Sequence, residues 1–137
     1  MDGMRSVAGS AVVVAAAVYL LALGGGALLR PEATKRFLGG FATTPRIHFT
    51  ELALRGLTGA ALVSSAPRMA FGPAIALFGW VLAVTSLALA LVPWRLHRRF
   101  AVWSVPRATR HMPLIGITAL AGGAVLLAAL FLPRTAG

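Results

Sequence analysis

A regularly spaced set of polar residues is the part of this sequence best equipped for chemistry. It recurs at intervals of four and three residues, at Thr44, His48, Glu51, Arg55, Thr58 and Ser65, with Leu62 as the one apolar member. This spacing predicts one helical face, which we call the polar stripe. Glu51 precedes Arg55 in the favourable order for a helical ion pair, and His48 is expected to hydrogen-bond Glu51. Such a face suits a proton relay, or a site for an anionic headgroup or a quinone-like ligand. The simpler interpretation, which we favour, is a polar clasp between helices, or between this protein and a larger partner.

The rest of the inventory argues against catalysis. The only acids besides Glu51 are Asp2 and Glu32, so a pair of carboxylates for acid–base work is hardly available. The other histidines, His97 and His111, are not spaced as metal ligands, and the sequence contains no cysteine. Nucleophile-elbow and phosphate-loop motifs are missing as well. We therefore predict a protein that is not an enzyme and that holds no metal or other cofactor.

The composition indicates a membrane protein. Apolar residues make up 58% of the chain, charged residues 12%, and the mean hydropathy is +0.85. Soluble domains are about 45–50% apolar and about 25% charged. A membrane-spanning helix needs about 20 mostly apolar residues. We predict an all-α, four-helix integral membrane bundle, a single domain over 1–137, with spans at 6–29, 45–66, 69–94 and 112–133.

The span at 45–66 is the polar one and carries the polar stripe. Counted from Pro45, Arg55 lies about 15 Å along the helix, near the middle of a hydrocarbon core about 30 Å thick. A charge there costs at least about 2.5 kcal/mol if it faces lipid. The polar stripe is therefore expected to face other helices or another protein.

Basic residues predict the orientation. Two loops hold most of them: Arg30, Lys35, Arg36 and Arg46 in the first, and Arg95, Arg98, Arg99, Arg107 and Arg110 in the second. Four spans place both loops on the same side, and basic loops stay cytoplasmic. Both termini are then outside. Cleavage of the first span as a signal peptide would translocate the first basic loop, so we expect that span to be retained.

The same loops predict the partners. The formal net charge of +10 follows from topology, so no nucleic acid is expected. Cations beside the membrane attract anionic phospholipids, and they can also grip an acidic partner. The predicted contacts are Arg30, Lys35, Arg36, Arg95, Arg98, Arg99, Arg107 and Arg110. His97 and His111 are expected to add to a solvated cationic face, and 94–102 to form a short interfacial helix.

Small residues predict helix-packing faces. One ridge follows the second span at Gly56, Ala60 and Ser64, and another follows the fourth span at Gly116 and Gly123. Small residues allow the backbones of membrane helices to approach closely. These faces serve packing within the chain, or packing against a partner. At the start of the second span, Thr44 and Pro45 are typical of an N-cap and a first helical residue.

The segment from His48 to Val63 resembles the second helix of small four-helix bacterial membrane proteins, the DoxX-like group and related uncharacterised families. The matching residues are Glu51, Gly56 and Gly59, followed by an apolar run. The resemblance implies the four-span layout more than a function. Arginine strongly outnumbers lysine and alanine is abundant, which is typical of a high-GC bacterium and hence indicates the plasma membrane.

Two functional hypotheses follow. The first is a non-catalytic accessory subunit that stabilises a larger membrane complex, such as a transporter or a respiratory assembly. The second is a small transporter, or a bundle that binds a lipid or quinone-like ligand through His48, Glu51, Arg55 and Thr58. Assembly into a homo-oligomer is compatible with either hypothesis.

Overall fold

A computed structural model describes residues 2–41 and 43–132. These residues form helices joined by short turns, and they contain no strand. The α-helices are α1 (Asp2–Leu29), α2 (Pro31–Gly39), α3 (Pro45–Ser65), α4 (Gly72–Leu91), α5 (Trp94–Ala108) and α6 (Met112–Phe131). Short 3-10 helices at Ala66–Arg68 and Thr109–His111 precede α4 and α6. The all-α prediction is confirmed. The predicted last residue of the fourth span, Pro133, lies outside the described residues, as does Arg134.

Three of the described segments are long and apolar enough to cross a membrane: Ser6–Leu29 of α1, all of α4, and a stretch from Trp94 to Phe131 that contains α6. This agrees with a membrane protein. Helix α3 has the length of a span, but its charged residues lower its hydropathy, and it is not among these segments.

Proline and threonine set the helix boundaries largely as expected. The Thr44 hydroxyl accepts a hydrogen bond from the Ile47 N–H at 3.3 Å, and Pro45 is the first residue of α3. Arg30 leaves helical geometry, with φ −139° and ψ 62°, and Pro31 starts the separate helix α2. Helix α4 begins at Gly72 rather than residue 69, because Phe71 adopts a left-handed conformation with φ 57°.

The four long helices pack as two close pairs. A Cβ on Gly24 would meet Gly116 and Leu120, and one on Gly123 would meet Ala17 and Leu21, so α1 and α6 run antiparallel. Helices α3 and α4 meet where Gly59 and Gly79 bring their backbones together. Helix α1 also contacts α3 and joins the two pairs. Between them lies an apolar core that includes Val13, Ala17, Leu62, Ile75, Leu126 and Ala129.

The predicted packing residues fall into two groups. Gly116 and Gly123 lie in the contact between α6 and α1. On α3, Ala60 and Ser64 are exposed, and a Cβ on Gly56 would only touch Ser86 at 3.9 Å. The ridge predicted on α3 is therefore not the internal contact. That contact uses Gly59, which lies on a neighbouring face of the same helix.

One hydrogen bond joins the two pairs at the end far from the basic loops. The Ala70 N–H, in the turn between α3 and α4, donates to the Ala129 carbonyl of α6 at 2.9 Å. Both residues are buried. The last carbonyls of a helix lack partners within that helix, so this bond satisfies one of them and fixes the turn against α6.

Candidate functional site

His48 is the centre of the candidate site. It lies in the first turn of α3, where its N–H donates to the Thr44 carbonyl at 3.0 Å. The residue is 0% exposed, and neither ring nitrogen has a hydrogen-bond partner within residues 2–41 and 43–132. Buried polar groups are nearly always hydrogen-bonded, since an unpaired one costs about 1–3 kcal/mol. A fully buried imidazole with both nitrogens unpaired is therefore a candidate to form hydrogen bonds with a bound ligand.

His97 of α5 covers His48. The two ring centroids are 4.6 Å apart, and the planes are inclined by 38°. Burial, together with the neighbouring His48, lowers the pKa of His97, and Arg55 acts in the same direction. His97 is half-buried and packs against His48, at the edge of the cationic surface. His111 is exposed, as expected.

Glu51 and Arg55 form the charged part of the site. The Arg55 Nη1 to Glu51 Oε1 distance is 3.8 Å, and the side chains are 36% and 22% exposed. Arg55 Nη2 donates to the Thr85 hydroxyl of α4 at 3.4 Å. Among the described residues, Glu51 Oε2 and Arg55 Nε are buried without a hydrogen-bond partner. The ion pair is thus long, and the Glu51 Oε2 acceptor and the Arg55 Nε donor keep their hydrogen-bonding capacity.

The polar stripe faces the neighbouring helices. His48, Leu62 and Ser65 are buried, and Glu51, Arg55 and Thr58 are half-buried. The proposed hydrogen bond from His48 to Glu51 does not form, because the imidazole packs against His97 instead. The structure brings His48, Glu51 and Arg55 into one cluster, with Thr58 next along the helix.

Two further residues complete this cluster, and the spacing along α3 does not identify them. They are His97 of α5 and Thr85 of α4. The Thr85 hydroxyl is held in place by its own helix, because it donates to the Val81 carbonyl at 2.6 Å. We refer to His48, Glu51, Arg55, Thr85 and His97 as the polar cluster. The one signal in the sequence is the position of His97 close after Pro93, which places it in the first turn of α5, next to the end of α4.

The polar cluster combines hydrogen-bond donors, acceptors and titratable groups in apolar surroundings. The guanidinium donates, the carboxylate accepts, and an imidazole can do either. Within the described residues, no group of three histidine or acidic side chains is arranged to hold a metal ion. The groups present can form hydrogen bonds and exchange protons.

The predicted cationic residues form an exposed surface around α2 and α5. Arg30, Arg36 and the five arginines of the second loop are exposed, and Lys35 pairs with Glu32 at 2.7 Å. Arg107 lies 4.1 Å from the centre of the Trp103 ring, and Arg98 lies 5.8 Å from that of Trp94. Helix α5 extends to Ala108, beyond the predicted 94–102. It presents arginines beside tryptophans, a combination typical of the membrane interface.

No protein-family model, curated protein or solved structure matches this chain. The function must therefore be inferred from the chemistry of the polar cluster and of the surfaces around it.

Proposed function

We propose that the chain is a four-span protein of the bacterial plasma membrane, with α1, α3, α4 and α6 as spans and both termini outside. The two basic loops then lie together in the cytoplasm, in contact with anionic lipid. The inward orientation of the polar stripe supports α3 as a span, since its charges need not face lipid. The DoxX-like resemblance implies the same layout.

The absence of cysteine allows a direct test of this topology. Single cysteines are placed at Pro67 and Arg99, both exposed, and intact cells are treated with a membrane-impermeant maleimide. Pro67→Cys should react in intact cells, whereas Arg99→Cys should react only after lysis. Reaction of both variants in intact cells, or the reverse pattern, would refute the proposed orientation.

We propose that the function is non-catalytic binding of a small, uncharged, hydrogen-bonding ligand of the quinone type by the polar cluster. The observation that carries this proposal is His48, fully buried with neither ring nitrogen paired among the described residues. A ligand carbonyl can accept a hydrogen bond from His48 or from the free Arg55 Nε. Binding would thus satisfy groups that the protein itself leaves unpaired.

Charge balance favours an uncharged ligand. Glu51 and Arg55 offset each other at 3.8 Å, so an ion would bring net charge into apolar surroundings. Such a charge costs several kcal/mol unless it is paired. An uncharged ligand with polar atoms meets the hydrogen-bonding demand without this cost.

Co-purification tests this proposal. The protein is extracted from its native membrane, and its organic extract is analysed for quinones by absorbance and mass spectrometry. The wild type should retain a quinone in stoichiometric amount, and His48→Phe should lose it while remaining folded. His111→Phe, a change at an exposed histidine, is the matched control and should retain it. If the wild type carries no more quinone than His48→Phe, the proposal fails.

The accessory-subunit hypothesis keeps support from another face of α3. Ala53, Ala60 and Ser64 are exposed, and Ala60 and Ser64 belong to the small-residue ridge that internal packing leaves uncovered. Such ridges suit the close approach of another helix. Gentle extraction followed by mass spectrometry should recover a stoichiometric larger partner, or a second copy of the chain. Ala60→Leu should release it, and exposed Leu57→Ala is the control. Recovery of the chain alone would exclude this second function.

A further inference from the structure

A groove lies between α1 and α2, and His48 is not among the residues that line it. Its volume is about 360 Å³, within the range of about 300–1,000 Å³ that is common for ligand sites. The walls include Tyr19, Ala22 and Gly26 from α1, and Ala33 and Phe37 from α2. Arg30 also lines it, at the break between the two helices. The groove is therefore mainly apolar, with one cation at its end.

The chain builds this groove through a helix break and a small residue. Arg30 departs from helical geometry, so α2 starts in a new direction at Pro31. Gly26 then faces α2, where an added Cβ would lie 3.0 Å from the Thr34 hydroxyl. That hydroxyl is already engaged, because it donates to the Arg30 carbonyl at 3.2 Å. The wall consequently offers few polar groups of its own.

The length of the groove corresponds to one lipid leaflet. The distance along α1 from Arg30 to Tyr19 is about 16 Å at 1.5 Å per residue, and half of a hydrocarbon core is about 15 Å. Arg30 follows directly on the apolar run of α1 and therefore lies at headgroup level. The groove thus extends from the headgroups to about the middle of the bilayer.

The guanidinium of Arg30, at the headgroup end of the groove, is available to bind an anion. Arg30 is exposed and makes no salt bridge or side-chain hydrogen bond with any described residue. Lys35, by contrast, is engaged with Glu32 at 2.7 Å. A planar guanidinium can hold a phosphate through two hydrogen bonds. The free cation and the apolar trough below it match the two parts of a phospholipid.

We propose that this groove binds one anionic phospholipid, with its phosphate on Arg30 and one acyl chain along Gly26 and Ala22 toward Tyr19. The site is more specific than the general attraction of the basic loops, because it joins one cation to one apolar channel. The proposal rests on the membrane topology proposed above, but it does not depend on what the polar cluster binds.

The test measures lipid retention by the full chain. The protein is reconstituted with equal phosphatidylglycerol and phosphatidylcholine, exchanged into detergent, and examined by native mass spectrometry. The wild type should retain one phosphatidylglycerol in preference to phosphatidylcholine. Arg30→Gln should lower that retention about fivefold, in line with the loss of one cation near a lipid headgroup. Arg68→Gln, which removes an exposed cation outside the groove and outside both basic loops, should keep it.

A second variant separates the groove from the charge. Ala33 is exposed and lines the groove, so Ala33→Phe fills the channel without changing Arg30. It should reduce retention of both lipids, with unchanged helical content by circular dichroism as the check on folding. Equal retention by Arg30→Gln and Arg68→Gln would overturn the proposal. So would equal binding of the two lipids by the wild type, unaffected binding in Ala33→Phe, or a second protein copy in place of lipid.

Discussion

Replacing Gly59 by alanine is expected to push α3 away from α4. A Cβ at this position would lie 2.7 Å from the Gly79 carbonyl oxygen and 2.8 Å from the Ala83 nitrogen. Favourable contacts between non-bonded atoms are about 3.5–4.0 Å long, so the helices must separate by roughly 1 Å. Because both neighbours are backbone atoms, no change of rotamer can relieve the contact.

Gly56→Ala provides the matched control. It lies on the same helix, gains the same helix propensity, and meets only the Ser86 Cβ at 3.9 Å. Overpacking typically costs about 1–3 kcal/mol. We therefore expect Gly59→Ala to be about 1–3 kcal/mol less stable than Gly56→Ala.

Unfolding of the purified chain in mixed detergent micelles, followed by circular dichroism as the fraction of dodecyl sulfate increases, measures this difference. The slope of the transition should be the same for both variants, so that the midpoints report stability. Equal midpoints would refute the argument, because they would mean that α3 and α4 do not approach closely at Gly59.

Three further predictions use the same unfolding assay. Glu51→Gln and Arg55→Gln each leave one half-buried charge unpaired and should each cost about 1–3 kcal/mol. The double variant should recover most of the loss, and strictly additive losses would contradict the ion pair. Burial lowers the pKa of His97 from its ordinary 6.5. As the pH falls, the imidazole is therefore protonated in the unfolded state before it is protonated in the folded state. The free energy of unfolding should be greatest above pH 6.5 and should decrease as the pH drops further. His97→Phe should flatten this dependence and His111→Phe should preserve it; an unchanged slope in His97→Phe would argue against the buried contact. Phe71→Gly should stabilise the chain by about 1 kcal/mol, because it relieves a left-handed conformation at φ 57°; a loss of stability would count against that conformation.

Local features of the fold could be predicted because their causes are local. The cap at Thr44 and Pro45 depends on neighbouring residues, and the inward orientation of Glu51 and Arg55 was predicted from the cost that charge would have if it faced lipid. Apolar runs likewise located α1, α4 and α6. Their ends differ by a few residues, since the backbone at Phe71 and the extended Val92 set the limits of α4.

The partners of the polar cluster could not be predicted in the same way. His48 and His97 are far apart in the sequence, and Arg55 reaches Thr85 on the next helix. Helical periodicity specifies which residues share a face, but not which face of a distant helix covers them. The same reason explains the ridge at Ala60 and Ser64. Glycines on neighbouring faces of α3 satisfy the small-residue pattern equally well, and only the contact with Gly79 selects Gly59.

The hydrogen bond from Ala70 to Ala129 restrains one end of the α3–α4 hairpin. It pins the α3–α4 hairpin to α6 at one end, while His48 lies near the other end of α3, about 30 Å away. Rotation of α3 about this restrained end displaces each residue of the helix in proportion to its distance from Ala70. A tilt of about 2° about this end moves the far end by about 1 Å over this length. The displacement produced by such a rotation is therefore largest at the end of α3 that contains the buried His48.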